Sequence, residues 1–238
     1  MKKAVVLLSG GLDSAVTLYF AKKQGFKCFC LIFDYGQRHR REIESAKKIA
    51  QAANCPFTII KINLPWKGSS LLDKKINIAK SVRVSGWQSV KGIPSTYVPA
   101  RNIIFLSFAL SYAEVIGAEA IFIGAHIQDY SGYPDCRPEF YRAFSRVIAT
   151  GTKTGIEKRK IKIETPLIHK TKARIIGLGV NLSVPFALTW SCYRGGNKPC
   201  GKCYSCYFRA KGFREAGIKD PLLAGTVKRG VPLGMSPL

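Results

Sequence analysis

The chain has 238 residues, of which 47% are hydrophobic and 22% are charged, and this composition predicts one globular domain, alone or with a small appendage. It contains no apolar run of about 18 residues or more, so the sequence offers no candidate membrane span. The formal net charge of +24 attracts anionic substrates. Because the basic excess is spread along the whole chain, it does not indicate a nucleic-acid-binding tail or stripe.

The first 62 residues alternate between short apolar segments and helical patterns. We predict strands at Ala4–Leu8, Lys27–Phe33 and Phe57–Ile62, with helices from Asp13 to about Gly25 and at Arg41–Ala53. This β-α-β-α-β order predicts a parallel sheet with helices on both faces. The first strand follows two lysines, as in a signal peptide, but its short apolar part leads directly into Ser-Gly-Gly. We therefore expect a cytoplasmic protein.

The second part of the chain begins with a long Gly- and Pro-rich loop over residues 63–100, which we expect to be functional. The predicted elements after it are a helix at Arg101–Ile116, a strand at Ala120–Gly124, a helix at Pro138–Thr150, an exposed basic turn at Lys153–Lys162 leading into a strand at Ile161–Glu164, and a helix at Lys170–Gly177. A cysteine cluster and a Gly- and Pro-rich tail follow.

The segment Ser9–Ser14, SGGLDS, joins the first strand to the first helix. Its two glycines let the backbone approach a ligand closely, and the helix N-terminus presents unpaired N–H groups to an anion. With the hydroxyls of Ser9 and Ser14, this predicts a cradle for pyrophosphate that is neither a Walker A loop nor a Rossmann fingerprint. The alternative is a simple turn capped by Asp13. Since a carboxylate repels phosphate, we expect Asp13 to act through Mg²⁺.

Four of the eight cysteines lie within fifteen residues, in the pattern Cys192-x₇-Cys200-x₂-Cys203-x₂-Cys206. In a reducing compartment such spacing indicates a metal site rather than disulfides. Four thiolates suit tetrahedral Zn²⁺ and leave no coordination position for substrate, which indicates a structural role. An iron–sulfur cluster is the alternative, because it accepts the same four ligands.

The segment Asp129–Phe140 follows the end of the Ala120–Gly124 strand, where open α/β sheets bind ligands. An arginine in it can clamp a carboxylate, an acid can accept from ring N–H groups, and an aromatic ring can stack on a planar substrate. The candidates for these contacts are Tyr133, Asp135, Arg137, Glu139 and Phe140. The alternative is a turn followed by a Pro-Glu helix start.

Other basic residues stand near predicted strand or helix ends. Arg38 and Arg101 are candidates for contacts with phosphate, whereas His39 is more simply a residue at a helix start. Lys170 and Lys172 either bind phosphate or belong to a solvated basic face.

Taken in order, these motifs resemble the 7-cyano-7-deazaguanine synthases, a family of PP-loop N-type ATP pyrophosphatases. The resemblance covers about residues 4–222 and rests on SGGLDS, YGQRH (Tyr35–His39), VPARN (Val98–Asn102), SGYPDCRPEF (Ser131–Phe140), ETPL (Glu164–Leu167), TWSCY (Thr189–Tyr193) and the cysteine spacing. It implies the conversion of 7-carboxy-7-deazaguanine, ammonia and two ATP into 7-cyano-7-deazaguanine, one structural zinc per chain and a homodimer. Two residues depart from the pattern, Tyr204 in place of Asp and Ala100 in place of Gly.

The resemblance also implies roles for particular residues. ATP is expected to bind Leu8, Ser9, Gly10, Gly11, Leu12, Asp13, Ser14 and Arg38. The deazaguanine is expected to bind Tyr133, Asp135, Arg137 and Glu139, and the residues expected to act in catalysis are Asp13, Arg101 and Arg137. Cys136 could form a thioester, but an acyl adenylate is already activated, so a packing role is preferred. The expected division is a PP-loop domain over residues 1–185 and a zinc-binding lobe over 186–238, packed as one unit.

Two rival functions remain at the level of the sequence. The first is a PP-loop enzyme that modifies tRNA directly, for which the chain leaves little room for an RNA-binding domain. The second is a non-catalytic, zinc-stabilised RNA-binding module, which the intact SGGLDS loop disfavours. We expect the free base as substrate, with no requirement for tRNA, on a route to either queuosine or archaeosine.

Overall fold

The computed structural model describes residues 1–38, 40–78, 93–126 and 132–224. His39, Asp129 to Ser131 of the candidate substrate segment, residues 79–92 of the long loop and the tail after residue 224 lie outside the described residues.

Five strands form one parallel sheet. They are β1 (Lys3–Leu7), β2 (Lys27–Asp34), β3 (Phe57–Lys61), β4 (Ala120–Phe122) and β5 (Lys162–Glu164). Their spatial order is β3-β2-β1-β4-β5, and each neighbouring pair is parallel. The predicted parallel sheet is therefore confirmed.

The helices are named in chain order. They are α1 (Leu12–Lys23), α2 (Arg41–Ala52), α3 (Arg101–Ile116), α4 (Pro138–Gly151), α5 (Lys153–Ile156), α6 (Lys172–Asn181), α7 (Tyr204–Glu215) and α8 (Pro221–Ala224), with short 3₁₀ turns at Pro134–Cys136 and Phe186–Leu188. Helices cover both faces of the sheet, as predicted.

Successive side chains of the central strand β1 point to opposite faces of the sheet and contribute to two separate cores. Ala4 and Val6 of β1 pack with residues of α1, α2, α6 and α7 on one face, and Val5 and Leu7 pack with residues of α3 and α4 on the other. All four side chains are buried, because a parallel strand covered on both faces has no solvated side. The apolar run that suggested a buried strand therefore serves both cores.

Two predictions for the second half of the chain need correction, and one helix was missed. The helix predicted at Lys170–Gly177 begins at Lys172 and continues to Asn181, because the Thr171 side chain accepts from Arg174 N–H and caps it. The predicted exposed turn contains the helical turn α5, capped by Thr152. Helix α7 was not predicted, since it begins inside the cysteine cluster and contains a glycine.

The connections of the sheet reverse direction at β1. The chain leaves β1 through α1 to reach β2 on one side, and it returns through α3 to place β4 on the other side. In open α/β sheets this reversal creates a crevice at the carboxyl ends of the two strands, where ligands bind. The loops after β1 and β4 form this crevice.

Gly10, in the loop after β1, permits close packing against α2. Its φ is +84°, and a Cβ atom there would stand 2.1 Å from the Glu42 carbonyl oxygen and 2.8 Å from the Ala46 nitrogen. Gly25 has nearly the same backbone conformation, with φ +83°, but no heavy atom lies within 4 Å of its Cβ position. The two glycines therefore separate the cost of a left-handed backbone from the cost of a clash.

We predict that Gly10→Ala lowers the free energy of unfolding by about 3 kcal/mol or more, because the clash adds to the left-handed strain. Gly25→Ala is the matched control and should cost about 1 kcal/mol from the strain alone. Urea denaturation of both variants measures the difference. Equal losses in the two variants would contradict the tight contact between Gly10 and α2.

Candidate active site

A cavity of about 230 Å³ opens at the carboxyl ends of β1, β2 and β4. One part of its lining is the predicted phosphate loop, including Ser9, Gly11 and Asp13, and another is Ile123–Ala125 after β4. Leu71 and Thr96 come from the long loop that was expected to be functional. The described cavity thus combines the segments that the sequence pattern assigns to phosphate binding with the crevice at the strand reversal.

Hydroxyl groups hold the phosphate loop in shape. Ser9 Oγ lies 3.1 Å from Ser14 Oγ and accepts from Gly11 N–H at 3.3 Å. Ser14 Oγ also accepts from Ser9 N–H and donates to the Gly11 carbonyl. Helix α1 then begins at Leu12. Its N-cap residue is Gly11, which has no side chain to cap the helix, and the first amide groups of a helix have no partner within it. The loop therefore directs a positive helix end towards the cavity.

Asp13 lies in a cluster of charged groups beside this loop. Its two carboxylate oxygens accept from Lys172 Nζ at 2.8 and 2.9 Å, and Oδ2 lies 3.5 Å from His126 Nε2. Lys172 Nζ is also 2.8 Å from His126 Nε2. Of the two roles considered for Lys172, a solvated face is excluded, because its side chain is only 11% exposed. The lysine instead balances the charge of Asp13.

The charge cluster changes the acidity of Asp13. Burial alone raises the pKa of this carboxyl, but the ammonium of Lys172 and the neighbouring His126 outweigh burial and hold the pKa well below its ordinary value of 3.8. Asp13 is therefore an anion at neutral pH, available to a cation that approaches from the cavity.

The opposite part of the cavity contains Arg101 and three hydroxyl groups. Arg101 Nη1 donates to Tyr35 Oη at 3.3 Å, and the Thr96 and Tyr133 hydroxyls lie 2.6 Å apart. Burial raises the pKa of Tyr35, so its phenol stays neutral and can donate a hydrogen bond. This part of the cavity offers a cation and several hydrogen-bonding groups to a planar polar substrate.

Asp135 supports this part of the site from behind. Its carboxylate accepts from Asn102 N–H at 3.0 Å, and its backbone carbonyl accepts from Asn102 Nδ2 at 3.1 Å. Asn102 lies in the first turn of α3, directly after Arg101, so the buried Asp135 fixes the start of the helix that carries Arg101. Cys136 is also buried here, and Asn102 Nδ2 contacts its sulfur at 3.2 Å.

The described lining of the cavity does not include several other candidates, namely Gly10, Arg38, Arg137, Glu139 and Phe140. Arg137 and Glu139 are exposed at the start of α4, where Glu139 accepts from Arg142 at 2.9 Å. Arg38 donates to the carbonyls of Ser70 and Ile76 in the long loop. Their assigned contacts with substrate and ATP stay predictions.

Several lining residues were not assigned a role from the sequence. Trp190, Ser191, Tyr193 and Ser205 reach the cavity from the predicted zinc lobe. His126 is a further member of the site that the sequence analysis missed. Its position directly after β4 is the signal that could have identified it, because the carboxyl ends of strands form the crevice.

The four clustered cysteines could hold a metal ion. Their sulfur atoms all lie within 4.8 Å of one another, and the Sγ atoms of Cys200 and Cys206 are 4.0 Å apart. Tetrahedral zinc with Zn–S bonds of about 2.3 Å separates its sulfur ligands by about 3.8 Å, so the set fits this ion. Cys192 Sγ accepts from the N–H groups of Arg194 and Cys200, contacts that favour a thiolate.

No helix in the described part of the chain is both long and apolar enough to cross a membrane.

Comparison with known proteins gives consistent matches over most of the chain. The family model described as "Queuosine biosynthesis protein QueC" matches residues 3–217. The chain is 53% identical over 223 residues to 7-cyano-7-deazaguanine synthase 2 of Desulfitobacterium hafniense (strain Y51), covering 93% of each chain. It is 50% identical over 221 residues to the 7-cyano-7-deazaguanine synthase of Thermoplasma volcanium, covering 93% of this chain and 90% of that protein.

We predict that Lys172→Met destabilises the protein at pH 7 by about 1–3 kcal/mol, because it leaves the Asp13 anion without its main partner. The cost stays below that of breaking a fully buried pair, since the Asp13 side chain is 25% exposed. Asp13 has a lowered folded pKa, so the ion pair stabilises the wild type above the unfolded pKa of 3.8 and this contribution is lost as the pH falls towards the folded pKa.

The measurement is urea denaturation from pH 7 down to pH 3, with Lys170→Met as the control that removes the same charge near the start of the same helix. The difference between wild type and Lys172→Met should shrink below about pH 4. A difference that stays constant over the whole range would show that Lys172 does not stabilise ionised Asp13.

Proposed function

This chain belongs to the family of the queuosine biosynthesis protein QueC, and we propose that it converts 7-carboxy-7-deazaguanine, ammonia and two ATP into 7-cyano-7-deazaguanine. The observation that carries the proposal is the Ser9–Ser14 loop in the cavity at the β1–β4 reversal, in a chain 53% identical to a synthase of that name. A phosphate loop beside a polar, cation-bearing pocket supports a reaction between ATP and a carboxylate.

The reaction proceeds through two adenylations. A carboxylate oxygen attacks the α-phosphorus of ATP, pyrophosphate leaves, and ammonia then displaces AMP to give the primary amide. The amide oxygen attacks the α-phosphorus of a second ATP, again releasing pyrophosphate. Loss of AMP and of the nitrogen-bound protons gives the nitrile. An acyl adenylate is already activated, so the reaction needs no nucleophilic side chain. The chain therefore contributes orientation and charge stabilisation.

The two halves of the cavity correspond to the two substrates. The pyrophosphate of ATP lies on the loop that begins α1, and the deazaguanine lies towards Arg101, Tyr133 and Thr96. Arg101 supports this assignment, because it lines the cavity as a cation near hydrogen-bonding hydroxyls. Asp135 then acts as a positioning residue through Asn102.

Asp13 is the group that would hold Mg²⁺ with the ATP phosphates. One carboxylate plus phosphate oxygens is a common donor set for this ion, and Asp13 lines the cavity as an anion. When bound, the ion would neutralise charge on the phosphates. Lys172, already paired with Asp13, keeps this carboxylate ionised and oriented until then.

The same proposal includes structural zinc at the four cysteines and a homodimer. Exposed apolar side chains along α3, at Ile103, Phe108 and Val115, support a second copy packing there, and light scattering measures the oligomeric state. A cytoplasmic location and independence of tRNA complete the proposal.

Zinc binding is tested by replacing one cysteine of the cluster and, as a matched control, one cysteine outside it. Cys200→Ser should lose most of its zinc and unfold at lower temperature, because binding of a structural metal is coupled to folding. Cys55, which is also half-buried but lies outside the cluster, provides the control, and Cys55→Ser should keep one zinc per chain. Metal analysis and thermal melting measure both effects. Full zinc content in the Cys200 variant, or iron in the wild type, would refute the assignment.

The activity is tested with RNase-treated enzyme, 7-carboxy-7-deazaguanine, ammonium, ATP and Mg²⁺ at moderate salt. Mass spectrometry should detect the nitrile, with AMP and pyrophosphate as the products from ATP. Activity that appears only on addition of tRNA would favour the RNA-modifying rival. Formation of ADP and phosphate would show that the wrong bond of ATP was assigned.

Comparing substitutions of Arg101 and Arg137 tests the orientation of the substrate in the cavity. Arg101→Met should lower kcat/KM by about 10²–10³, because it removes a cation from the reacting end of the cavity. Arg137→Met removes the same charge from an exposed position and should change kcat/KM much less. A larger loss from Arg137→Met would restore the role that the sequence pattern assigned to Arg137.

A further inference from the structure

Trp190 connects the cysteine cluster to the phosphate loop. The residue is 2% exposed, and its backbone N–H donates to the Gly10 carbonyl at 2.9 Å. Its indole Nε1–H donates to the backbone carbonyl of Cys192, a member of the cysteine cluster, at 3.0 Å. One residue therefore joins a predicted metal ligand to the centre of the phosphate loop by two direct hydrogen bonds.

The bond to Gly10 controls the orientation of the loop. A peptide group is planar and trans, so its carbonyl and the following N–H point in opposite directions. When Trp190 holds the Gly10 carbonyl, the Gly11 N–H is directed towards Ser9 Oγ, where it donates at 3.3 Å. Glycine backbones otherwise populate many orientations, so this bond removes freedom that phosphate binding would have to restrict.

Arg41 packs against the indole ring and also bonds to the segment that carries the cysteines. The guanidinium of Arg41, at the start of α2, lies 4.4 Å from the centre of the Trp190 ring, and Arg41 Nη1 donates to the Asn197 carbonyl at 2.6 Å. Arg41 therefore holds both Trp190 and the loop between Cys192 and Cys200. Helix α2 also provides the Glu42 carbonyl against which Gly10 packs.

The segment before Trp190 is fixed from helix α7. Arg209, which is buried, donates to Thr189 Oγ1 at 2.7 Å and to the Phe186 carbonyl at 3.2 Å, and Asp220 balances its charge at 2.6 Å. The N-cap of α7 is Cys203, and Ser205 in its first turn lines the cavity. The cysteine cluster thus includes both Cys192, two residues after Trp190, and Cys203 at the start of α7.

We propose that Trp190 is a positioning residue through which metal bound at the four cysteines organises the phosphate loop for pyrophosphate. Metal occupancy then affects nucleotide affinity as well as folding. This inference rests on the proposed use of ATP and adds a regulator of the same site. A metal held by the four thiolates would restrain the backbone at Cys192, whose carbonyl accepts from the Trp190 indole, while the Trp190 backbone N–H holds the Gly10–Gly11 peptide.

The test measures binding of ATP with Mg²⁺, and separately of pyrophosphate, by calorimetry in the absence of the second substrate. Trp190→Phe keeps the backbone N–H to Gly10 and an aromatic ring under Arg41, but it removes the bond to the Cys192 carbonyl. Both dissociation constants should rise about three- to tenfold, as expected for one lost hydrogen bond. Zinc content should stay at one per chain.

Arg41→Met tests the clamp from outside the cavity and should weaken both ligands by a similar factor. Arg40→Met is the matched control, since it removes the same charge from the adjacent exposed position and should leave both constants unchanged. In a protein carrying Trp66→Phe and Trp87→Phe, Trp190 is the remaining tryptophan, and zinc chelation should shift its emission to longer wavelength.

Two outcomes overturn the proposal in distinguishable ways. If wild type binds ATP and the Trp190→Phe and Arg41→Met variants bind it equally well, Trp190 does not position the loop, and the proposed function is unaffected. If wild type binds neither ATP nor pyrophosphate, the proposed function fails and the inference fails with it.

Discussion

At the carboxyl ends of β1 and β4 the chain turns towards opposite faces of the sheet, and the candidate active-site cavity occupies the crevice between the two turns. This arrangement requires the Gly10 loop to pack directly against α2, with no space for a Cβ atom at Gly10. Gly124, in the turn after β4, is similarly close to α1, since a Cβ atom there would lie 3.0 Å from the Asp13 carbonyl carbon. Close approach of these backbones brings the start of α1 to the edge of the cavity.

A lysine neutralises a carboxylate in this crevice, so that the crevice can still attract an anion. The start of α1 attracts anions, but Asp13 in its first turn adds a negative charge near the site for phosphate. Lys172 neutralises that charge from the start of α6, and the stem of Lys172 is confined by Gly212 of α7, where a Cβ atom would lie 2.4 Å from Lys172 Cγ. Part of the net charge of +24 therefore balances a carboxylate within the candidate active site.

Residues of the predicted C-terminal lobe also line the candidate active site. Trp190, Ser191, Tyr193 and Ser205 line the same cavity as the phosphate loop. Four clustered cysteines that could hold a metal ion lie in the same segment, and the proposed metal would constrain this wall of the cavity. Arg209 and its partner Asp220 add a buried ion pair that holds the segment before Trp190.

The sequence by itself determined the features that depend on neighbouring residues. The apolar run of β1 and the helical pattern of α3 predicted a parallel sheet covered on both faces, and the Ser9–Ser14 loop and cysteine spacing predicted the phosphate loop and the metal-binding cluster. The parallel sheet and the clustering of the four cysteines are confirmed, because periodicity and residue spacing act over a few residues, whereas phosphate binding by the Ser9–Ser14 loop stays a prediction. Helix α7 was missed because its first turn coincides with the cysteine pattern.

Only the tertiary structure decided which distant side chains meet. Lys172 lies 159 positions along the chain from Asp13, and Trp190 contacts Gly10, so no local pattern could predict either pair. Asp135 resembled a substrate ligand, but folding directs its carboxylate to Asn102, while Arg137 two residues later is exposed. The physical reason is that the role of a side chain depends on which groups it faces. The packing of helices and strands against one another decides this, and a local sequence pattern does not.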